Sequence, residues 1–365
     1  MLSRLNRYLI SRTLIGIGVM AAAVTATILL VDVVEQLRST GARATLTLLG
    51  ALRLTALKTP QLLEQTLPFI VLIGTMLALN QLNRRSELIA MRAAGVSAWR
   101  FLTPVMALAL TMGAATATLL NPLGAAMYAR YEIERAIVMS GEPTRRTDVE
   151  NIWLRQGDDD GQIVISAARV DPSQARLENA VFFFFEISPD GPLQFARRVS
   201  AATADLRQGF WQLNDVVDAT PGALPERSAH LAIPTRLEPT ALLDRFVSPQ
   251  TLSFFRLPQV IADARAAGLT PTRYELRWQT LLATPLLFMA MAALGAVFSL
   301  RLHRMGDSTL WAMIGLSAGF MLFFLGQLAG AFATSQVAPV PLAVWAPPLS
   351  GVLAAMAVLG YLEDG

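Results

Sequence analysis

Apolar positions gather in six long runs, with one long polar block between the third and the fourth. The runs cover residues 14–31, 62–82, 101–120, 280–300, 310–334 and 342–362. Each is free or nearly free of charge and has the roughly 17 to 25 residues a helix needs to cross the hydrocarbon core of a bilayer. The pattern predicts six membrane-spanning helices, three before the block and three after it. Glu64 lies near one end of the second, and Pro68 is expected to kink it. The third has Pro104 in its first turn, and Asn121-Pro122 is expected to stop it. The first run is longer than the apolar core of a signal peptide. Asp32, Glu35 and Arg38 follow it with no small-residue cleavage site, so a retained anchor helix is expected.

The block from 123 to 277 changes period. Short runs at 151–155, 162–170, 177–187, 193–201, 210–219 and 229–236 read as strands. Asp158-Asp159-Asp160-Gly161, Pro189-Asp190-Gly191-Pro192 and Pro221-Gly222 supply turns between them. Strands at this spacing predict a small antiparallel sandwich or open barrel. A helix at about 257–267 follows, in which Leu257, Val260, Ile261 and Ala264 share a face. The domain division expected is therefore 1–122, 123–277 and 278–365.

Composition agrees and removes several functions. The chain is 53% hydrophobic and 16% charged, with a mean hydropathy of +0.46, against about 25% charged for an ordinary soluble domain. There is no cysteine, hence no disulfide, thiolate nucleophile or cysteine-held metal. The single lysine, Lys58, stands in Ala56-Leu57-Lys58-Thr59 and not in a glycine-rich phosphate loop. Any ATP-driven work must come from a partner, and no cofactor is expected in this chain. No His-Glu-x-x-His motif occurs. The two histidines, His230 and His303, fall in different compartments under the six-span topology, so no metal site and no catalytic constellation emerges.

The net charge of +3 is carried almost wholly by arginine at the ends of the runs, where topology signals and lipid headgroup contacts sit, so nucleic acid is set aside. An N-terminus in the cytoplasm places Arg4, Arg7, Arg12, Arg84, Arg85, Arg92, Arg100, Arg301 and Arg304 inside. It leaves the uncharged loop 335–341 outside, along with Arg38, Arg43, Arg53 and the polar block. The C-terminus then also lies inside.

Three features are candidates for function. The inside loop at about 83–97 predicts a short amphipathic helix, capped by Ser86 or Asn83, begun by Glu87 and closed by Gly95. It is either a helix shaped for a groove on a partner or a positive-inside loop that happens to be helical. Gly315, Gly319, Gly326 and Gly330 form two small-xxx-small pairs on nearly one face of the fifth run, suited to static packing or to a separable helix contact. Strand alternation sends Phe182 and Phe184 to one face and Phe183 and Phe185 to the other, so one pair can fill a core.

"RRSELIAMRAAGVS" after the second run resembles the LptF/LptG family of lipopolysaccharide-export permeases. "LNRYLISRTL" at the start is similar to that family, and "VVEQLRSTG" and "RYELRWQTLLATPL" are similar to its LptG branch. The resemblance implies six spans with a periplasmic jelly-roll-like β-domain between helices 3 and 4, in a bacterial inner membrane. It implies an ABC transporter permease subunit that takes lipopolysaccharide from the inner membrane towards the outer membrane. The implied partners are an LptF-like paralogous permease, an LptB-like ATPase dimer, and an LptC-like protein with a periplasmic bridge. Carried over residue by residue, Glu87 is the ATPase contact of a coupling helix, with Arg84, Arg92 and Gly95 in the same motif. Arg38, with Arg43 close by, is implied to meet lipid phosphate. Gly315, Gly319, Gly326 and Gly330 lie on the implied gate helix, and Phe182 and Phe184 face the implied acyl-chain slide. The chain departs at Asp32, an acid where the family has a basic residue. The alternative from a different class is a non-transporting scaffold or mechanotransmitting subunit that binds an envelope protein through its β-domain.

Overall fold

The computed structural model describes residues 4–40, 47–140, 150–158, 161–171, 175–187, 193–235, 248–266, 270–301 and 308–364. They divide into a helical unit, built from Met1–Gly141, Gln250–Pro258 and Thr272–Gly365, and a sheet unit, Glu142–Pro249 with Gln259–Pro271.

The helices are α1 (Arg4–Thr40), α2 (Leu48–Arg84), α3 (Glu87–Ala93), α4 (Ala98–Ala115), α5 (Asn121–Ser140), α6 (Leu257–Ala266), α7 (Thr272–Arg301), α8 (Ser308–Thr334) and α9 (Val340–Asp364). Six candidate membrane spans result, because α4, a π turn at Thr116–Leu120 and α5 run on as one rod. Each apolar run predicts its span, but several helices extend beyond it. The mixed-charge stretch that follows the first run is helical over Asp32–Thr40, and helix resumes at Leu48, ahead of the second run. The Asn121-Pro122 stop does not occur either. A proline ring normally clashes with the carbonyl four residues back, and the wider π turn just before it relieves that clash.

Buried apolar side chains on α2, α4 and α7, among them Leu72, Phe101 and Phe288, form the centre of the helical unit. Close crossings lock it. A Cβ on Gly74 would land on the Ile17 backbone of α1, and one on Gly16 would meet the Gly74 carbonyl. Likewise a Cβ on Gly113 of α4 would strike the Pro285 backbone of α7. Small residues let helices approach to this distance without a hydrophobic driving force from water.

A buried ionic knot adds direction to this packing. Arg277 of α7 donates through Nη2 to Glu64 Oε1 of α2 at 2.6 Å. Asn121 Nδ2 donates to the other Glu64 oxygen at 3.1 Å, and Asn121 Oδ1 accepts the Phe254 backbone N–H at 2.8 Å. Glu64 is thus satisfied at both oxygens by two different helices, as a charge in a low-dielectric setting requires.

The sheet unit holds β1 (Glu150–Asp158), β2 (Gly161–Asp171), β3 (Arg176–Ile187), β4 (Leu193–Arg207), β5 (Phe210–Ala219) and β6 (Glu226–Pro234). All are antiparallel and pair in sequence order. The all-β domain between the third and fourth spans is as expected, and its described strands form a meander. Alternation brings Leu154, Ile165, Phe182 and Val199 into register as one buried row across four strands. Leu206, Trp211 and Ile233 form another. Thr235, just past β6, donates to Gln156 of β1 at 2.7 Å, so the two edges of the sheet curl towards each other. On its flank Arg176 donates to Asp205 at 2.6 Å, which raises the guanidinium pKa above its ordinary value.

Candidate functional site

The loop between the second and third spans folds as a short helix between two long ones. α3 ends in a Schellman motif: Val96 N–H donates to Met91 O at 3.0 Å and Gly95 N–H to Arg92 O at 2.9 Å, with Gly95 at φ +79°. Glycine is required there because an L side chain strains at that angle. The other end differs from expectation. Ser86 takes φ +59° and its side chain makes no cap hydrogen bond.

What holds the start of α3 comes from elsewhere. Tyr8 of α1 donates from its hydroxyl to Glu87 Oε2 at 2.7 Å. Arg12, one turn on, donates through Nε to the same hydroxyl at 3.1 Å, and its guanidinium lies 5.2 Å from the Tyr8 ring centre. Leu88 is buried and Met91 packs against the helical core. Arg84, Arg92 and Gly95 are exposed, and so is Ile89, an apolar side chain 45% exposed between them. The loop therefore presents a rigid outward face of mixed basic and apolar character, with its one acid, Glu87, half-buried at the edge. The sequence singles out Glu87, Arg84, Arg92 and Gly95 in this loop, but not the Tyr8–Arg12 pair that meets Glu87 or the exposed Ile89. The available signal was the four-residue spacing of Tyr8 and Arg12, which puts them on one helix face.

At the far end of α1, Asp32 is buried. Lys58 of α2 donates to its Oδ1 at 2.7 Å, and Thr55 and Gln36 donate to Oδ2 at 3.0 and 3.4 Å. Gln36 also donates to the Tyr131 hydroxyl of α5 at 3.2 Å, and Lys58 lies 5.8 Å from that ring centre. The acid at Asp32 is thus neutralised by the only lysine in the chain. Arg38 is exposed in the last turn of α1. It sits two residues past Gln36, about 200° round the helix from it. Arg43 lies outside the described residues.

α1 and α8 are the spans least covered by the rest of the chain. Their most apolar windows are 11% and 17% buried, against 50% for α2 and 61% for α7. On α8 the four glycines divide in two. Gly315 and Gly319 pack tightly against Phe298 and Leu72 inside the unit. A Cβ on Gly326 would meet nothing, and one on Gly330 only Leu276. These last two, with Gln327, line a mostly apolar cavity of about 140 Å³ whose other walls are α7 and α9.

In the sheet, Phe182 is fully buried and meets Trp211 edge-on at 5.8 Å. Phe184, on the same face by alternation, is half-buried beneath Arg197, whose guanidinium lies 4.4 Å from its ring centre. Phe183 stacks on Trp153, and a bulge between Phe184 and Phe185 shifts the register there. His230 is exposed on β6 and pairs with Asn214, and His303 lies outside the described residues.

Comparison with known proteins bears on the whole chain. The family described as lipopolysaccharide export system permease LptF/LptG matches residues 7–361. The chain is 26% identical over 334 residues to the lipopolysaccharide export system permease protein LptG of Escherichia coli (strain K12), covering 89% of this chain and 86% of that one. It is 25% identical over 346 residues to the protein of the same description from Haemophilus influenzae, covering 93% of each.

Proposed function

The chain belongs to the LptF/LptG family of lipopolysaccharide export permeases, and from that premise we propose that it is the LptG-like subunit of an ATP-driven transporter. It is a multi-pass protein of the inner membrane and a transporter component, not an enzyme. In this reading both termini lie in the cytoplasm and the six-stranded sheet lies in the periplasm. An LptF-like paralogue completes the permease, and an LptB-like ATPase dimer supplies the energy. The lipid passes to an LptC-like protein and a periplasmic bridge.

The observation that carries this reading is the outward face of α3. Its C-terminus is closed at Gly95, Leu88 is buried on its inner side, and the exposed Ile89 and Arg92, with Arg84 at the end of α2, have the character that suits an ATPase groove. Glu87 is the docking acid. The sparse cover on α1 and α8 supports a lateral opening made by the first span of one permease and the fifth of the other. Within it, Gly326 and Gly330 lie on the open part of α8, and Gly315 and Gly319 anchor its packed part. Arg38, with Arg43, is the basic contact for lipid phosphate beside the opening. Phe184 takes the acyl contact in the sheet, with Phe182 as the wall behind it.

The test is coupled export in proteoliposomes holding the full complex. Glu87→Ala should leave ATP hydrolysis running while lipid release per ATP falls severalfold. Unchanged coupled release in that variant would remove Glu87 from the docking role.

A further inference from the structure

We propose that Tyr8 is the positioning residue for the docking acid: its hydroxyl holds Glu87 in one orientation and ties α3 to the first span. The proposal rests on the docking role given to Glu87 above and extends it to the element that receives the motion.

The geometry is that of a relay. The Tyr8 hydroxyl donates to Glu87 Oε2 at 2.7 Å while accepting from Arg12 Nε at 3.1 Å. A donor that itself receives a charge-assisted bond is polarised and donates more strongly. Glu87 is thereby balanced by the Arg12 charge through a phenol and, among the described residues, keeps Oε1 for an incoming group. Tyrosine suits this task because it has only two side-chain torsions to order. Both flanking backbones are held: Leu9 and Leu88 are buried in the same apolar core.

α3 needs such a tether. Ser86 does not cap it, so its first turn lacks a side-chain anchor from its own loop. α1 is equally suited to receive a displacement. It is one unbroken helix from Arg4 to Thr40 with no internal proline. It crosses α2 where Gly16 and Gly74 meet and reaches the Asp32–Lys58 pair about 36 Å beyond Tyr8. A push on Glu87 therefore enters the span least covered by its own chain.

The experiment is a double-mutant cycle on the assembled complex in nanodiscs, using the cognate ATPase subunit as the probe. Its Kd is measured for the wild type, Tyr8→Phe, Glu87→Ala and the double variant, with lipid released per ATP at saturating ATPase as a second readout. Tyr8→Phe keeps the ring and removes only the hydroxyl. It should weaken ATPase binding about fivefold to tenfold when Glu87 is present and less than about twofold when it is absent. It should also lower lipid released per ATP at saturation. Equal weakening in both backgrounds, or none in the wild-type background, would overturn the proposal, since a purely structural tyrosine acts independently of Glu87. If Glu87→Ala alone binds the ATPase as tightly as the wild type, the docking assignment itself falls, a pattern distinct from either of those.

Discussion

Replacing Arg277 by methionine removes one half of the buried ionic knot and leaves Glu64, 8% exposed at its side chain, holding a charge with only Asn121 to receive it. Attraction between unit charges this close is on the order of 4 kcal/mol at an effective dielectric near 20. It offsets a desolvation cost of similar size, so the intact pair contributes little net stability while either half alone is expensive. The single variant should lose about 3–5 kcal/mol. Removing both charges with Glu64→Leu and Arg277→Met should recover most of that loss. Glu64→Gln should also cost about 3–5 kcal/mol, because it leaves the Arg277 charge alone, and its amide adds a second mismatch. Arg277 and Asn121 both present donors to this side chain, and Asn121 cannot turn its oxygen inward without releasing the Phe254 N–H. The glutamine amide must therefore face a donor on one side. Thermal unfolding of the purified protein at a fixed scan rate reads the order: wild type, then the double variant, then the two single variants Glu64→Gln and Arg277→Met. A double variant as unstable as Arg277→Met would refute the reasoning, because uncompensated charge would not be the source of the loss.

Two further outcomes follow from the same packing. Gly74→Ala forces a Cβ onto the Ile17 backbone and should cost about 1–3 kcal/mol or more, whereas Gly326→Ala meets nothing and should leave the midpoint of unfolding unchanged; equal shifts would mean α1 and α2 do not cross there. Lys58 is the only side-chain amine in the chain and is held by Asp32 at 2.7 Å. An amine-reactive reagent followed by peptide mapping should therefore label it slowly in the wild type and severalfold faster in Asp32→Asn. A rate indifferent to residue 32 would break that pairing.

Much of the architecture is legible in one dimension. A span announces itself because crossing a bilayer needs an uninterrupted apolar run, and all six runs lie on helices of the structure. The strands announce themselves because alternation and turn residues are local signals; 210–219 is a strand with those bounds. The short helix between the second and third spans is legible for a similar reason. Its closing glycine and its acid at the first turn are set within a few residues of each other. Ser86 shows the limit of such reasoning: a good capping residue stands at the right place and does not cap, because the chain enters α3 with φ +59° there.

The rest depended on partners far apart in the chain. Tyr8 reaches Glu87 across 79 positions, Asp32 reaches Lys58 across 26, and Glu64 reaches Arg277 across 213. Of these charges only Glu64 lies inside an apolar run, and nothing in the neighbours of any of them names the group that satisfies it. The same holds for Asn121-Pro122, where a π turn absorbs what reads as a helix stop. By itself the sequence determined the number of spans, the strands of the inserted domain and the place of the short helix between the second and third spans, since all of these follow from local periodicity and capping. Only the tertiary structure decided which buried charges meet, which face of α3 is held and which spans stay uncovered. Pairing a charge in a low-dielectric interior is settled by which helices cross, and crossing is a property of the folded chain.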